Sequence, residues 1–260
     1  MKLNEMLKTG GMFWIGAQLI PLLAAVLLAG CNPAPNSSVP AAANSAPLSS
    51  VTGEPRATNA VDAEVETDVD KSTEHLLLGN RLLAQERFRE AVAEFELAAR
   101  YNPEDEDVYY NLALAQARAG DKESAKRNYG KALEIFPDYV EAHNNLGNIL
   151  VGEGNYAEAI THFQKALQQD EKNASTHNNL GTAYARQKKI ANSLVHFETA
   201  VQLQPDYPDA QFNLGNAYLL LQRHDDAIAT FTKLLEFHPE FSRARSQLEK
   251  AKGLKAAGAK

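Results

Sequence analysis

Three consecutive 34-residue stretches, 140–173, 174–207 and 208–241, carry the same residue types at the same offsets. Gly147, Gly181 and Gly215 stand one period apart, and so do Phe163, Phe197 and Phe231. Two earlier stretches, 72–105 and 106–139, hold the register with Gly79 and Ala113, then Phe95 and Tyr129. A chain that repeats at this period folds as a stack of supersecondary units, because one unit alone leaves its apolar face open.

Within each unit the spacing is helical. Leu146, Gly147 and Leu150 fall at i, i+1 and i+4, one stripe of a helix, and no run alternates as a half-buried strand does. Small residues such as Gly147 and Ala159 allow two antiparallel helices to approach, and the phenylalanines fill the gap to the next unit. Gly120-Asp121 and Gly154-Asn155 punctuate the turn between the two helices. Asp138 with Glu141 reads as an N-cap pair, and Pro208 opens a first turn after Asp206.

Leu214, Gly215, Tyr218, Ala227, Phe231 and Pro239, with their counterparts at each step back, resemble the tetratricopeptide repeat. The resemblance covers about 170 of the 260 residues and departs from the pattern at Ser193 and Glu171. It implies an all-α, right-handed solenoid of five helix-turn-helix repeats, 72–105, 106–139, 140–173, 174–207 and 208–241. Residues 242–260 continue the phase with Ala244, Leu248 and Ala251 and are expected to form a capping helix with a basic tail.

The N-terminal region has another character. Residues 1–30 read as a secretory signal, with Lys2 and Lys8 before an apolar run that Pro21 interrupts. Leu28-Ala29-Gly30-Cys31 resembles the bacterial lipoprotein box, which implies a diacylglycerol on Cys31 and cleavage just before it. Cys31 is the only cysteine, so such a mature chain has no thiol left for a disulfide or a nucleophile. The resemblance places the protein in a bacterial cell envelope, and Asn32, rather than aspartate, after the cysteine points to the outer membrane, facing the periplasm. Residues 31–71 are rich in Pro, Ala and Ser and then acidic, the composition of a disordered tether with roughly 35 Å of r.m.s. reach. Its last part, "VDAEVETDVD", reads as an extended charged linker, or alternatively as a strand that pairs with a partner sheet.

Signs of chemistry are few. A net charge of −7 disfavours nucleic acid. Gly152 to Ala157 matches the text of a dinucleotide fingerprint, but that motif works between a strand and a helix, not between two helices. His143 and His177 repeat one position and His162 and His196 another, with no third ligand type recurring beside them; helix-contact histidines are the better account than a metal site. No enzyme motif appears, and no cofactor is expected beyond the covalent lipid on Cys31.

What recurs is asparagine. Asn111, Asn145, Asn179 and Asn213 occupy one position of successive first helices, Asn80, Asn148 and Asn216 another in alternate repeats with Leu114 and Thr182 between, and Asn144 and Asn178 a third. Propensity does not explain such a row. In proteins of the resembled family these first-helix positions line a concave groove, and an amide offers both donor and acceptor to a peptide backbone. The Lys/Arg carboxylate clamp of chaperone-binding relatives is replaced here by Tyr110, Asn144, Asn178 and Phe212, with Asp107, Glu141 and Asp209 nearby and Arg118 and Arg186 deeper in. The expectation is a neutral, partly aromatic groove for another protein or peptide segment, with Tyr110, Asn111, Asn144, Asn145, Asn148, Asn178, Asn179, Phe212, Asn213 and Asn216 at the contact. The other account of these amides is bonding between repeats. The implied role is a membrane-anchored scaffold or adaptor, with a periplasmic holdase chaperone as the alternative; no residue pattern sets an oligomeric state.

Overall fold

A computed structural model of the chain describes residues 67–258. The signal, Cys31 and most of the tether lie outside the described residues. Those described form eleven α-helices and no strand. Five hairpins follow one another: α1 (Val69–Ala84) with α2 (Phe88–Tyr101), α3 (Glu106–Ala119) with α4 (Lys122–Ile135), α5 (Val140–Glu153) with α6 (Tyr156–Gln169), α7 (Ala174–Arg186) with α8 (Ile190–Leu203), and α9 (Pro208–Leu220) with α10 (His224–Phe237). A last helix, α11 (Ser242–Gly258), packs on α10 and α9 through Ala244, Leu248 and Ala251. This is the predicted succession of five repeats and a closing helix.

The glycine and the aromatic of each repeat are one device. A Cβ placed on Gly147 would lie 2.6 Å from Phe163, and one on Gly79, Gly181 or Gly215 would lie 2.5 to 2.7 Å from Phe95, Phe197 or Phe231. Each ring therefore lies directly over the glycine of its own hairpin, where no side chain fits. The other side of the ring meets the next repeat: Phe95 clusters with Leu112, Phe163 with Leu180, Phe197 with Leu214 and Phe231 with Leu248. The phenylalanines thus close the hairpin as well as the gap to its neighbour, and each buried ring contributes about 1.5–3 kcal/mol. In the second repeat Ala113 and Tyr129 make the same contact, both buried.

Caps set the helix boundaries. Asp68 accepts from the Lys71 amide and donates its own backbone N–H to the Tyr101 carbonyl, so α1 begins at Val69, three residues before the expected boundary. Asp105, Asp121 and Asn173 cap α3, α4 and α7 in the same way. Asp138 does not cap α5; the N-cap falls on Tyr139, the repeat position that Asp105, Asn173 and Tyr207 hold before α3, α7 and α9, and Tyr139 makes no side-chain cap bond. Each hairpin turn passes through one left-handed residue: Gly120 and Gly154, but also Glu86, Lys188 and Gln222.

First helices also touch first helices: α1 meets α3, α5 meets α7, α7 meets α9 and α9 meets α11, whereas the second helices pack on first helices. The odd-numbered helices share one side of the stack, α3 and α5 being joined there by the bond from Asn145 to the Tyr110 hydroxyl, and the predicted asparagines stand on that side.

Candidate peptide-binding groove

Along that side the asparagines divide into two sets. Those at 145, 179 and 213 each reach back 35 residues. Asn145 Nδ2 donates to the Tyr110 hydroxyl at 3.2 Å, Asn179 Nδ2 to Asn144 Oδ1 at 3.1 Å, and Asn213 Nδ2 to Asn178 Oδ1 at 2.9 Å. Asn144 Oδ1 also accepts from Thr176 Oγ1, and Asn178 Nδ2 donates to the Tyr207 hydroxyl. Asn111 has the same place one repeat earlier but finds Leu76 where its acceptor should stand, and turns its amide to the Asp107 carbonyl of its own helix. These bonds run from repeat to repeat. They give the ladder a structural task, and Asn178 is buried within it.

The second set is unengaged. Asn148 on α5 and Asn216 on α9 form no hydrogen bond to described side chains, and Asn148 is exposed. The side-chain carbonyls of Asn179 and Asn213 accept no such bond either, whereas the Asn145 side chain also meets the Tyr129 phenol. What the face offers a ligand is thus two whole amides and the carbonyls of Asn179 and Asn213, framed by the ladder that spends the other halves.

Aromatic rings stand at either side of the amides. Tyr110 stacks on Tyr139 with centroids 4.9 Å apart, and the half-exposed Phe136 tilts against Tyr139. Phe212 packs with Phe231 and Phe241, and the Arg243 guanidinium lies 5.1 Å over its ring. Such a cation adds about 0.5–1 kcal/mol at an exposed site.

The electrostatics follow from these contacts. Burial, and then the nearby Glu141, push the Tyr110 phenol up to about 12. Tyr139 is raised too, first by burial and then by its bond to Asp107, whose carboxylate accepts from the Tyr139 hydroxyl at 2.6 Å. Both phenols are neutral over the physiological range, Tyr139 donating to Asp107 and Tyr110 accepting from Asn145. Asp209 pairs with Arg243. Two of the three acids predicted along this rim are thereby occupied by neighbours within the fold, while Arg118 and Arg186 stay exposed at the far ends of α3 and α7.

Elsewhere the fingerprint-like run from Gly152 to Ala157 joins the end of α5 to the start of α6. The histidines pair across their hairpins, His143 with His162 and His177 with His196, and among the described residues no group of three or more metal-ligating side chains converges. Sequence reasoning did not foresee those pairs. The signal lay in the common 19-residue separation, close to the 16-residue step from glycine to phenylalanine that bridges the same two helices.

Tetratricopeptide repeat models match residues 106–139, 128–161 and 172–240, and a further model described as TPR repeat matches 79–120 and 147–188; together they run from 79 to 240. Among solved structures the chain is similar to MamA of Desulfovibrio magneticus RS-1, with a TM-score of 0.62, 23% identity, and coverage of 66% of this chain and 97% of that one. PilF of Pseudomonas aeruginosa gives 0.60 at 18% identity over 70% and 89% of the two chains. PilW, described as a widely conserved type IV pilus biogenesis factor, gives 0.60 at 23% over 72% and 91%. At these identities the likeness speaks for the fold alone. No curated protein sequence matches the chain.

Proposed function

We propose that this chain, a tetratricopeptide repeat protein, is a lipid-anchored scaffold of the bacterial cell envelope that holds an extended segment of a partner protein on its odd-helix face. The observation that carries the reading is the division of the amides. The ladder uses its donors within the stack, while Asn148, Asn216 and the side-chain carbonyls of Asn179 and Asn213 stand unengaged on the same face as the Tyr110 and Phe212 clusters. Backbone groups of an extended peptide pair with such amides, and apolar side chains of the peptide find Tyr110 and Phe212. No chemical step is assigned to any residue of this face.

Cys31 supplies the anchor in this reading and residues 31–67 the reach. Stable attachment needs more than one acyl chain, each buried CH₂ adding about 0.8 kcal/mol. The shared fold with PilF and with the pilus biogenesis factor PilW supports assembly of a pilus or secretion complex as the setting. Crosslinking in the native envelope, followed by identification of the partner, tests the proposal. One stoichiometric partner, lost when Asn148 and Asn216 are replaced, is the expected result. Broad suppression of aggregation of unrelated proteins would replace it with a holdase. For the anchor, Cys31→Ser should abolish lipid labelling, and normal labelling of that variant would refute it.

A further inference from the structure

Repeats 3 and 4 hold, inside their hairpins, imidazole pairs that the groove does not use. Nδ1 of His143 on α5 faces Nδ1 of His162 on α6 at 2.8 Å, and His177 on α7 faces His196 on α8 at 3.2 Å. The ring centroids lie 5.1 and 5.4 Å apart. Centroids so distant with nitrogens so close set the rings end to end, the geometry of one shared proton rather than of two lone pairs converging on a metal ion. Nε2 of His143 donates to the Pro137 carbonyl at 2.9 Å and Nε2 of His177 to the Glu171 carbonyl at 3.0 Å. Those bonds fix the tautomer: His143 and His177 accept at Nδ1, and His162 and His196 donate from theirs.

The same slot is filled differently in the other repeats. In the first, His75 meets Glu94 at 2.7 Å. In the fifth, Gln211 donates to the Pro205 carbonyl at 2.6 Å, as His143 does to Pro137, and Thr230 faces it in the sequence register. That version of the slot has nothing to titrate.

We infer that the two imidazole pairs are an acid-released latch on the groove: neutral, they hold repeats 3 and 4 closed, and protonated, they loosen them. The consequence for ligand binding rests on the reading of the odd-helix face as the groove; the latch itself does not. The first proton goes to Nε2 of His162 or His196, the ring nitrogens without a partner. It leaves the Nδ1 bond in place but sets a cation in a half-buried cleft. A second proton, on the accepting Nδ1 of a pair, puts a donor on both facing nitrogens and removes the bond. Around the first pair, Lys165 on α6 opposes protonation and Asp138 in the α4–α5 turn favours it; the helices packed alongside, α4 and α7, bring no other acting charge. Around the second, His177 itself is the acting group, and Tyr184 of α7 stacks on His196 with centroids 5.6 Å apart. His143 and His177 directly precede Asn144 and Asn178, the acceptors of the ladder, so a shift of either histidine moves a rung.

The test compares amide-hydrogen protection factors of the whole free chain at pH 7.5 and 5.0, with the side-chain amide signals of Asn179 and Asn213 followed by NMR. Protection in α5–α8 is expected to fall at least ten-fold more than in α9–α10, with the two amide signals broadening in step. The variant H143Q/H162T/H177Q/H196T, which carries the residues of the fifth repeat, should lose that difference. An equal fall in both regions, no fall, or an unchanged fall in the variant would overturn the latch; should the variant not fold, the comparison within the wild-type chain still decides. Because no ligand is present, failure here and failure to find a partner are separate results.

Discussion

Gly147→Ala is the sharpest probe of how the hairpins close. The new Cβ would stand 2.6 Å from Phe163 Cε1 and 2.8 Å from Cζ, well inside van der Waals contact. Phe163 is fully buried among Leu146, Leu150 and Leu180, so the ring yields only if the two helices separate or the next repeat shifts. Overpacking of this kind costs about 1–3 kcal/mol. Against it stands the helix-propensity gain of alanine over glycine, about 1 kcal/mol. The second repeat, which pairs Ala113 with Tyr129, shows that the hairpin can adjust, so the net loss should be at most about 2 kcal/mol. Gly130 supplies the control. It lies inside α4, and a Cβ there meets nothing within 4 Å. Gly130→Ala should therefore stabilise by about 0.5–1 kcal/mol. Urea titrations followed by circular dichroism at 222 nm would give both midpoints. The two identical substitutions should move them in opposite directions. A Gly147→Ala midpoint at or above wild type would refute the close contact, and a matching loss in Gly130→Ala would show that helix glycine, not the ring, is responsible.

The remaining predictions use the same assays. Asn179→Ala removes a rung that ends on Asn144 and should destabilise by about 1 kcal/mol, whereas Asn148→Ala with Asn216→Ala should leave the midpoint within about 0.5 kcal/mol and weaken only the bound partner. Glu86, Lys188 and Gln222 hold φ values of 58°, 62° and 59°, so glycine at each should stabilise by about 1 kcal/mol; a loss would show that their side chains matter more than their backbone. The folded state favours the neutral form of three imidazoles, His162 pushed down to about 4 and His143 and His196 also lowered, in each case chiefly by burial. The unfolded chain therefore binds more protons below about pH 6.5, and stability should decline from there towards pH 4, by about 1–2 kcal/mol for His162 once its partial exposure is allowed for. A flat profile over that window would remove the effect.

Much of this was legible because the fold is one unit written five times. The period alone placed every hairpin, and the glycine–aromatic step at Gly147 and Phe163 named the contact that closes it. Where the text of the repeat varies, the reading thinned. The turn was visible at Gly120 and Gly154 but not at Glu86, Lys188 or Gln222, because the neighbouring turns impose a left-handed residue that these side chains tolerate without advertising. Asp138 looked like a cap because its spacing to Glu141 was right; the register of the repeats, which puts the N-cap at 105, 139, 173 and 207, decided otherwise.

The asparagines show the limit more clearly. Sequence put Asn145 and Asn148 on one face and gave no means to separate them, since both are amides at recurrent positions. The distinction lies in what stands 35 residues earlier. Asn145 meets the Tyr110 hydroxyl, Asn179 and Asn213 meet amide oxygens, and Asn111, with Leu76 in that place, must turn inward. A donor that finds an acceptor in the preceding repeat is committed to the stack; a side chain one turn further along the helix has nothing within the stack to reach. The groove's capacity to bind is thus set by the register between repeats rather than by the number of asparagines in it. Moving a ladder acceptor should therefore change what the face offers: Asn144→Leu ought to release the Asn179 amide towards solvent, at the cost of two inter-repeat bonds, those from Asn179 and Thr176, and an Asn179 side-chain signal that stays as protected as in the wild type would contradict that account.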